Sequence, residues 1–187
     1  MTSRNNGLEK NIDRILFTQD QIAKTVSKLG AAIQEDYASR RPLLIGVLNG
    51  CFLFLSDLVR TINLDLEVDF MSVSSYGKGT QSSGAVKILK DLDHDIQNRH
   101  VILVEDIIDS GLTATYLLDN LKNRRPASVE FCALLDKKEA RSKEIFLKYT
   151  GFECPNEFVV GYGLDYKGLY RNLPFICLLK NEIYPDS

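Results

Sequence analysis

Val101-Ile102-Leu103-Val104-Glu105-Asp106-Ile107-Ile108-Asp109-Ser110-Gly111-Leu112-Thr113 is the stretch on which the fold turns. Its first four residues form a continuous apolar run, the kind buried on both faces of a parallel sheet. Three carboxylates, Glu105, Asp106 and Asp109, then crowd into five positions, and a Ser-Gly-x-Thr turn opens onto a helical pattern. Ligands of open parallel sheets collect outside the carboxyl ends of the strands, so the chemistry is expected here. Backbone N–H groups at a helix N-terminus, joined by the Ser110 and Thr113 hydroxyls, would hold a phosphate monoester, with Gly111 allowing close approach. Acids beside a phosphate need other partners, either sugar hydroxyls or Mg²⁺ reached through water. The plainer alternative is that Asp109 and Ser110 only cap the helix, which leaves Glu105 and Asp106 unexplained.

Working outward, residues 43–48 and 128–135 repeat the buried-strand pattern, and residues 158–160 and 175–179 supply shorter strands. Thr18 and Gln21 have the spacing of a capping box, followed by Ile22, Val26, Leu29, Ile33 and Tyr37 along one stripe of a long amphipathic helix. Asn49-Gly50 punctuates the strand at 43–48, and residues 51–62 read as a helix with Leu55, Leu58, Val59 and Ile62 inward. The helix after Gly111 is expected to turn Tyr116, Leu117 and Leu121 inward. Residues 66–73 alternate as a strand, residues 74–84 carry glycines and serines but no aliphatic side chain, and residues 85–89 resume as a strand. This reads as a hairpin with a long, mobile tip. Strands alternating with helical patterns give an α/β domain with a mostly parallel sheet.

Composition narrows the function classes. The chain has 187 residues, 44% of them hydrophobic and 26% charged, which suits one globular domain and excludes disordered and fibrous classes. Lys+Arg number 23 against 25 Asp+Glu, a net charge of −2, so the basic footprint of a nucleic-acid binder is missing. No apolar run is long enough for a membrane span. The four cysteines, Cys51, Cys132, Cys154 and Cys177, show no zinc spacing. Reduced thiols and the lack of an export signal point to the cytoplasm. His94 and His100 read as surface residues.

The string from Val104 to Thr113 resembles the phosphoribosyl-pyrophosphate (PRPP) motif of the type I phosphoribosyltransferases. From residue 45 to residue 179 the chain is similar to the hypoxanthine-guanine branch of that family, because five separated motifs occur in the family's order. The resemblance implies the type I phosphoribosyltransferase fold: a mostly parallel twisted sheet flanked by helices, with a small hood and a flexible hairpin loop. It implies one domain over residues 1–187, its hood built mainly by the C-terminal segment and part of the N-terminus.

The implied reaction joins PRPP to hypoxanthine or guanine, giving IMP or GMP and pyrophosphate, with Mg²⁺ as cofactor. Asp109 would be the general base, and Glu105, Asp106, Ser110, Gly111, Leu112 and Thr113 would bind PRPP and its ribose. Asn49, Gly50 and Arg171 would meet the pyrophosphate, and Ser75-Tyr76 would open the flexible loop. Lys137, Phe158, Val159 and Asp165 would bind the purine, while Glu105, Asp106 and Asp165 would serve the metal. A homodimer or homotetramer is implied as well. The chain departs from many relatives by having Asn49 where they carry a lysine, which keeps the loop's backbone role, aided by a cis peptide, but removes a cation.

Residue chemistry agrees with these roles while leaving alternatives open. The ammonium of Lys137 donates to the O6 acceptor of an oxopurine, which the amino group of adenine does not offer. Phe158 offers a flat face for stacking, and the backbone near Val159 and Asp165 can read the remaining ring edge. Taken singly, Lys137 and Arg171 would be surface cations, with Lys138 competing for the first role, and Phe158 would be core. Xanthine acceptance stays open, as does a non-catalytic nucleotide-sensing regulator, although net charge −2 disfavours the latter. A nicotinamide dehydrogenase lacks its glycine fingerprint here.

Overall fold

A computed structural model describes residues 9–76 and 85–183. Two sheets organise them. The larger contains β2 (Leu43–Leu48), β3 (Glu67–Tyr76), β4 (Ala85–Lys90), β5 (His100–Ile108), β6 (Ser128–Asp136) and β7 (Tyr149–Glu153), in the order β4-β3-β2-β5-β6-β7. All its pairings are parallel except the β3–β4 hairpin. The smaller is antiparallel, with β1 (Ile12–Phe17) and β8 (Val159–Val160) on either side of β9 (Ile176–Leu179).

The apolar runs become central strands because both faces of the large sheet are covered. On one face lie α1 (Gln19–Asp36) and α2 (Phe52–Arg60), packing Ile22, Val26, Ile33, Phe54 and Leu58 against Leu44, Ile102 and Val104. On the other lies α3 (Leu112–Lys122), whose Ala114, Leu117 and Leu121 meet Leu43, Ile45, Leu103 and Phe131. The Thr18–Gln21 capping box forms as the spacing predicts and satisfies N–H groups otherwise orphaned at the start of α1. All four cysteines are buried and free. None of the helices among the described residues is long and apolar enough to cross a membrane.

Several expectations need correction. Tyr116 is exposed rather than inward, because the buried stripe of α3 runs through Ala114, Leu117 and Leu121. β1 and β7 are edge strands that the apolar pattern did not reveal. His100 is half-buried at the start of β5, with Nδ1 2.8 Å from Ser128 Oγ and its ring edge-on to Tyr37. Ser74, Ser75 and Tyr76 continue β3, paired with Lys87, Val86 and Ala85, so the strand outlasts the predicted loop start. The rest of the predicted loop, residues 77–84, lies outside the described residues, as do the side chains of Ser75 and Tyr76.

Candidate active site

β5 carries the acidic string further than its apolar run suggests. Pairing with β6 continues through Glu105, Ile107 and Ile108, so Glu105 and Asp106 stand on the strand itself rather than in the loop beyond it. The chain then turns at Asp109 and Ser110 into α3. The residue that caps this helix is Gly111, with φ +80 and no side-chain capping bond; its glycine identity suits a backbone region that other residues rarely enter. The simple capping role for Asp109 is thereby removed, while Ser110 Oγ accepts only a long 3.4 Å bond from the Leu112 N–H. The first hydrogen bond of the helix runs from Thr115 N–H to Gly111 O, which leaves the Thr113 and Ala114 N–H groups without an intrahelical acceptor.

Two adjoining clefts meet at the carboxyl ends of β2 and β5. The first is lined by Val47, Leu48 and Gly50 from the β2 end and by Glu105, Asp106, Asp109, Ser110, Gly111 and Thr113 from the acidic string, with Val73 alongside. The second is lined by Asn49, Gly50, Asp106, Ile107 and Asp109, and then by Lys137, Phe158, Val159, Leu164, Asp165 and Arg171. Gly50, Asp106, Ile107 and Asp109 belong to both. Apart from Leu112 and the Ser75–Tyr76 end of β3, every candidate site residue lines the depression that these two joined clefts form. Leu112 is the first residue of α3 and lies just behind the Ser110–Gly111 turn.

Backbone contacts fix the join between these clefts. The Leu48–Asn49 peptide is cis, as the resemblance implies. A Cβ on Gly50 would sit 1.7 Å from Asp106 Oδ2, and a Cβ on Gly163 would sit 2.1 Å from Gly50 O. The β2 turn is thus held between a carboxylate on one side and the loop after β8 on the other. That loop is anchored by Tyr162, whose hydroxyl donates to Asp57 on α2 at 2.7 Å.

The side chains of the second cleft separate the alternatives that composition left open. Lys137 is buried, with Nζ 3.7 Å from Asp109 Oδ2, whereas Lys138 is exposed and pairs with Glu153. Phe158 is 41% exposed rather than core, and its ring stands edge-on to Tyr166. Arg171 is no free surface cation: Nη2 lies 2.6 Å from Asp165 Oδ1, and Nη1 donates to Gly163 O at 2.6 Å. The other Asp165 oxygen accepts from the Gly168 N–H.

The acids of β5 titrate abnormally. Burial, reinforced by Asp106, holds Glu105 well above the usual carboxylate range. Burial also pushes Asp106 up to about 6, against the opposing pull of its own and the Ile107 backbone N–H groups and of Arg171. A folded-state pKa above the unfolded value of 3.8 means that ionisation opposes folding: stability is fullest below pH 4 and falls as the pH rises through 6. The difference corresponds to about 3 kcal/mol. Asp106→Asn should therefore raise the melting temperature of the ligand-free protein at pH 8 by several degrees and change it little at pH 4. Paired melts check this; equal shifts at both pH values would contradict it.

These acids fit a hard divalent cation. The described residues contain no cluster of three or more protein ligands, so oxygens of a substrate and water would have to complete the shell. Mg²⁺ accepts that arrangement, being held commonly by one or two carboxylates together with substrate phosphates.

Comparison with known proteins agrees with the geometry. The family model for the phosphoribosyl transferase domain matches residues 14–167. The chain is 51% identical to the hypoxanthine-guanine phosphoribosyltransferase of Streptococcus pneumoniae over 96% of its own length and 99% of that protein. It is 48% identical to the bifunctional protein TilS/HprT of Listeria monocytogenes, covering 97% of this chain but only 28% of that longer protein. Among solved structures, a hypoxanthine phosphoribosyltransferase from Staphylococcus aureus superposes with a TM-score of 0.94 at 42% identity, covering 97% of this chain and 99% of that one.

Proposed function

The chain belongs to the phosphoribosyltransferase family, in its hypoxanthine-guanine branch, and on that premise we propose that it transfers the 5-phosphoribosyl group of PRPP to N9 of hypoxanthine or guanine. One observation carries this reading. Lys137 Nζ and the Asp109 carboxylate lie side by side, 3.7 Å apart, in a cleft that also bears the exposed face of Phe158. A 6-oxopurine presents an acceptor at O6 next to a proton at N7, so a donor beside an acceptor matches that edge. Adenine, with a donor at position 6, would set one donor against another, the buried ammonium.

The roles follow from position. The Ser110–Gly111 turn and Thr113 take the 5′-phosphate on backbone N–H groups and hydroxyls at the start of α3. Glu105 and Asp106 face the ribose hydroxyls, and the Leu48–Gly50 turn with Arg171 faces the pyrophosphate. As the C1′–O bond to pyrophosphate breaks and the C1′–N9 bond forms, Asp109 accepts the N7 proton, leaving a neutral purine in the nucleotide. The carboxylates also stabilise positive charge developing at C1′. Mg²⁺, held by Asp106 or Glu105 and by Asp165, would neutralise charge on the leaving pyrophosphate. The small β1-β9-β8 sheet serves as the hood beside the base site. Cytoplasmic location and a homodimer or homotetramer belong to the same proposal.

An assay of PRPP with hypoxanthine, guanine, xanthine and adenine in the presence of Mg²⁺ tests it. IMP and GMP formation is expected, with adenine inert; nucleotide binding without turnover of any base would favour the regulator instead. Lys137→Gln should reduce the preference for hypoxanthine over adenine by roughly 10- to 100-fold in kcat/KM, the scale of one mismatched hydrogen bond to a charged group. Undiminished preference would remove Lys137 as the reader of O6.

A further inference from the structure

The two ends of the depression are joined by residues 138–145, which line neither cleft. Asp136, the residue before Lys137, is buried, and its Oδ1 lies 2.6 Å from Arg141 Nη2. Arg141 Nη1 donates to Ile145 O at 2.8 Å, closing residues 141–145 into a tight loop. That loop then reaches the phosphate turn. The Ser142 N–H, the Ser142 hydroxyl and the Lys143 N–H all donate to Ser110 O, at 3.0, 3.1 and 3.3 Å. Lys143 O stands 3.0 Å from where a Gly111 Cβ would be.

We infer that Arg141 is a positioning residue, which fixes the spacing between the purine-facing Lys137 and the phosphate-facing Ser110–Gly111 turn; the inference rests on the functional reading above. Arg141 Nε is buried and has no hydrogen-bond partner among the described residues. A buried N–H left unpaired opposes folding, so a fork accepting that penalty to reach two acceptors is placed for geometry. Lysine could supply the charge but not span Asp136 and Ile145 together.

A nucleotide engages both ends at once, and its advantage over its separate parts depends on how closely the spacing of the subsites matches its own. Arg141→Lys should therefore weaken IMP binding by about tenfold or more, while hypoxanthine and ribose 5-phosphate, each occupying one end, stay within about twofold of wild type. Calorimetry with these three probes measures the split. Parallel loss of all three, or no loss of IMP affinity, would overturn the inference, since a merely structural arginine would produce no selective loss.

Should Arg141→Lys fail to fold, Ser142→Ala decides. Its side chain is exposed, so the core is untouched, and IMP affinity should fall about two- to fivefold with the fragments unchanged. Unchanged IMP affinity in that variant overturns the inference. Failure of the wild-type protein to bind IMP would instead overturn the functional reading, and the positioning role with it.

Discussion

Asp109→Asn is expected to lower kcat by roughly a hundred- to ten-thousand-fold, the range spanned by loss of a general base, with IMP and GMP still bound. The carboxylate lies at the meeting of the two clefts, beside Lys137, and is 59% exposed. Its replacement therefore disturbs no packed interior, and a fall in rate cannot be blamed on unfolding. Asparagine keeps the size and one oxygen acceptor but is not basic enough to take the N7 proton. Lys137 simultaneously loses its charge partner at 3.7 Å, so purine binding should change somewhat, by far less than turnover. Steady-state kinetics combined with calorimetric binding of IMP separates the two quantities. Loss of nucleotide binding with turnover intact would sink the assignment of Asp109 as the base.

Gly50→Ala should be nearly as damaging, for a steric reason. Its Cβ would lie 1.7 Å from Asp106 Oδ2 and 2.4 Å from Asp106 Cγ, far inside van der Waals contact. The turn cannot retreat freely, because Gly50 O already packs against the backbone of Gly163. The carboxylate of Asp106 must move away from the position that faces both clefts. A misplacement on the order of 1 Å costs about a hundredfold in rate, so kcat/KM for PRPP should fall by about that factor or more. The melting temperature should move little by comparison, because Asp106 leaves a half-buried position in which its ionised form is already disfavoured. Wild-type kcat/KM in a folded Gly50→Ala variant would show that the turn has room to adjust.

The central strands were legible in the sequence because a strand covered on both faces must be apolar throughout; residues 43–48 and 101–104 state this directly. α1 was equally plain, since its stripe and its capping box agree. Edge strands carry no such signature. β7 mixes Tyr149 and Phe152 with Thr150, Gly151 and Glu153, and β1 leaves Ile15 48% exposed. Tyr116 misled because a large aromatic ring at a plausible helical position looks inward, while the small Ala114 is what packs against the sheet.

For the site, the string from Glu105 to Thr113 was readable because its members are neighbours along the chain. The approach of Lys137 to Asp109, of Gly163 to Gly50 and of Tyr162 to Asp57 brings together segments far apart in sequence, and no periodicity announces such contacts. The family resemblance gave Lys137 and Asp109 roles at the same purine, but not their mutual approach. Arg141 had no signal at all, because its partners, Asp136 and the Ile145 carbonyl, acquire meaning only once the strand end is buried.

On the proposed reading, the turn into α3 grips its ligand largely through main-chain N–H groups, joined by the Ser110 and Thr113 hydroxyls, whereas the opposite end of the depression would read the base with the Lys137 and Phe158 side chains. Mutation rewrites side chains and leaves the main chain in place. Descendants of this scaffold can therefore exchange one acceptor base for another by a few codon changes near residues 137 and 158, while inheriting the grip on the sugar phosphate almost unaltered. Diversity in such a lineage should accumulate in the choice of base, and the donor should remain its common ancestral feature.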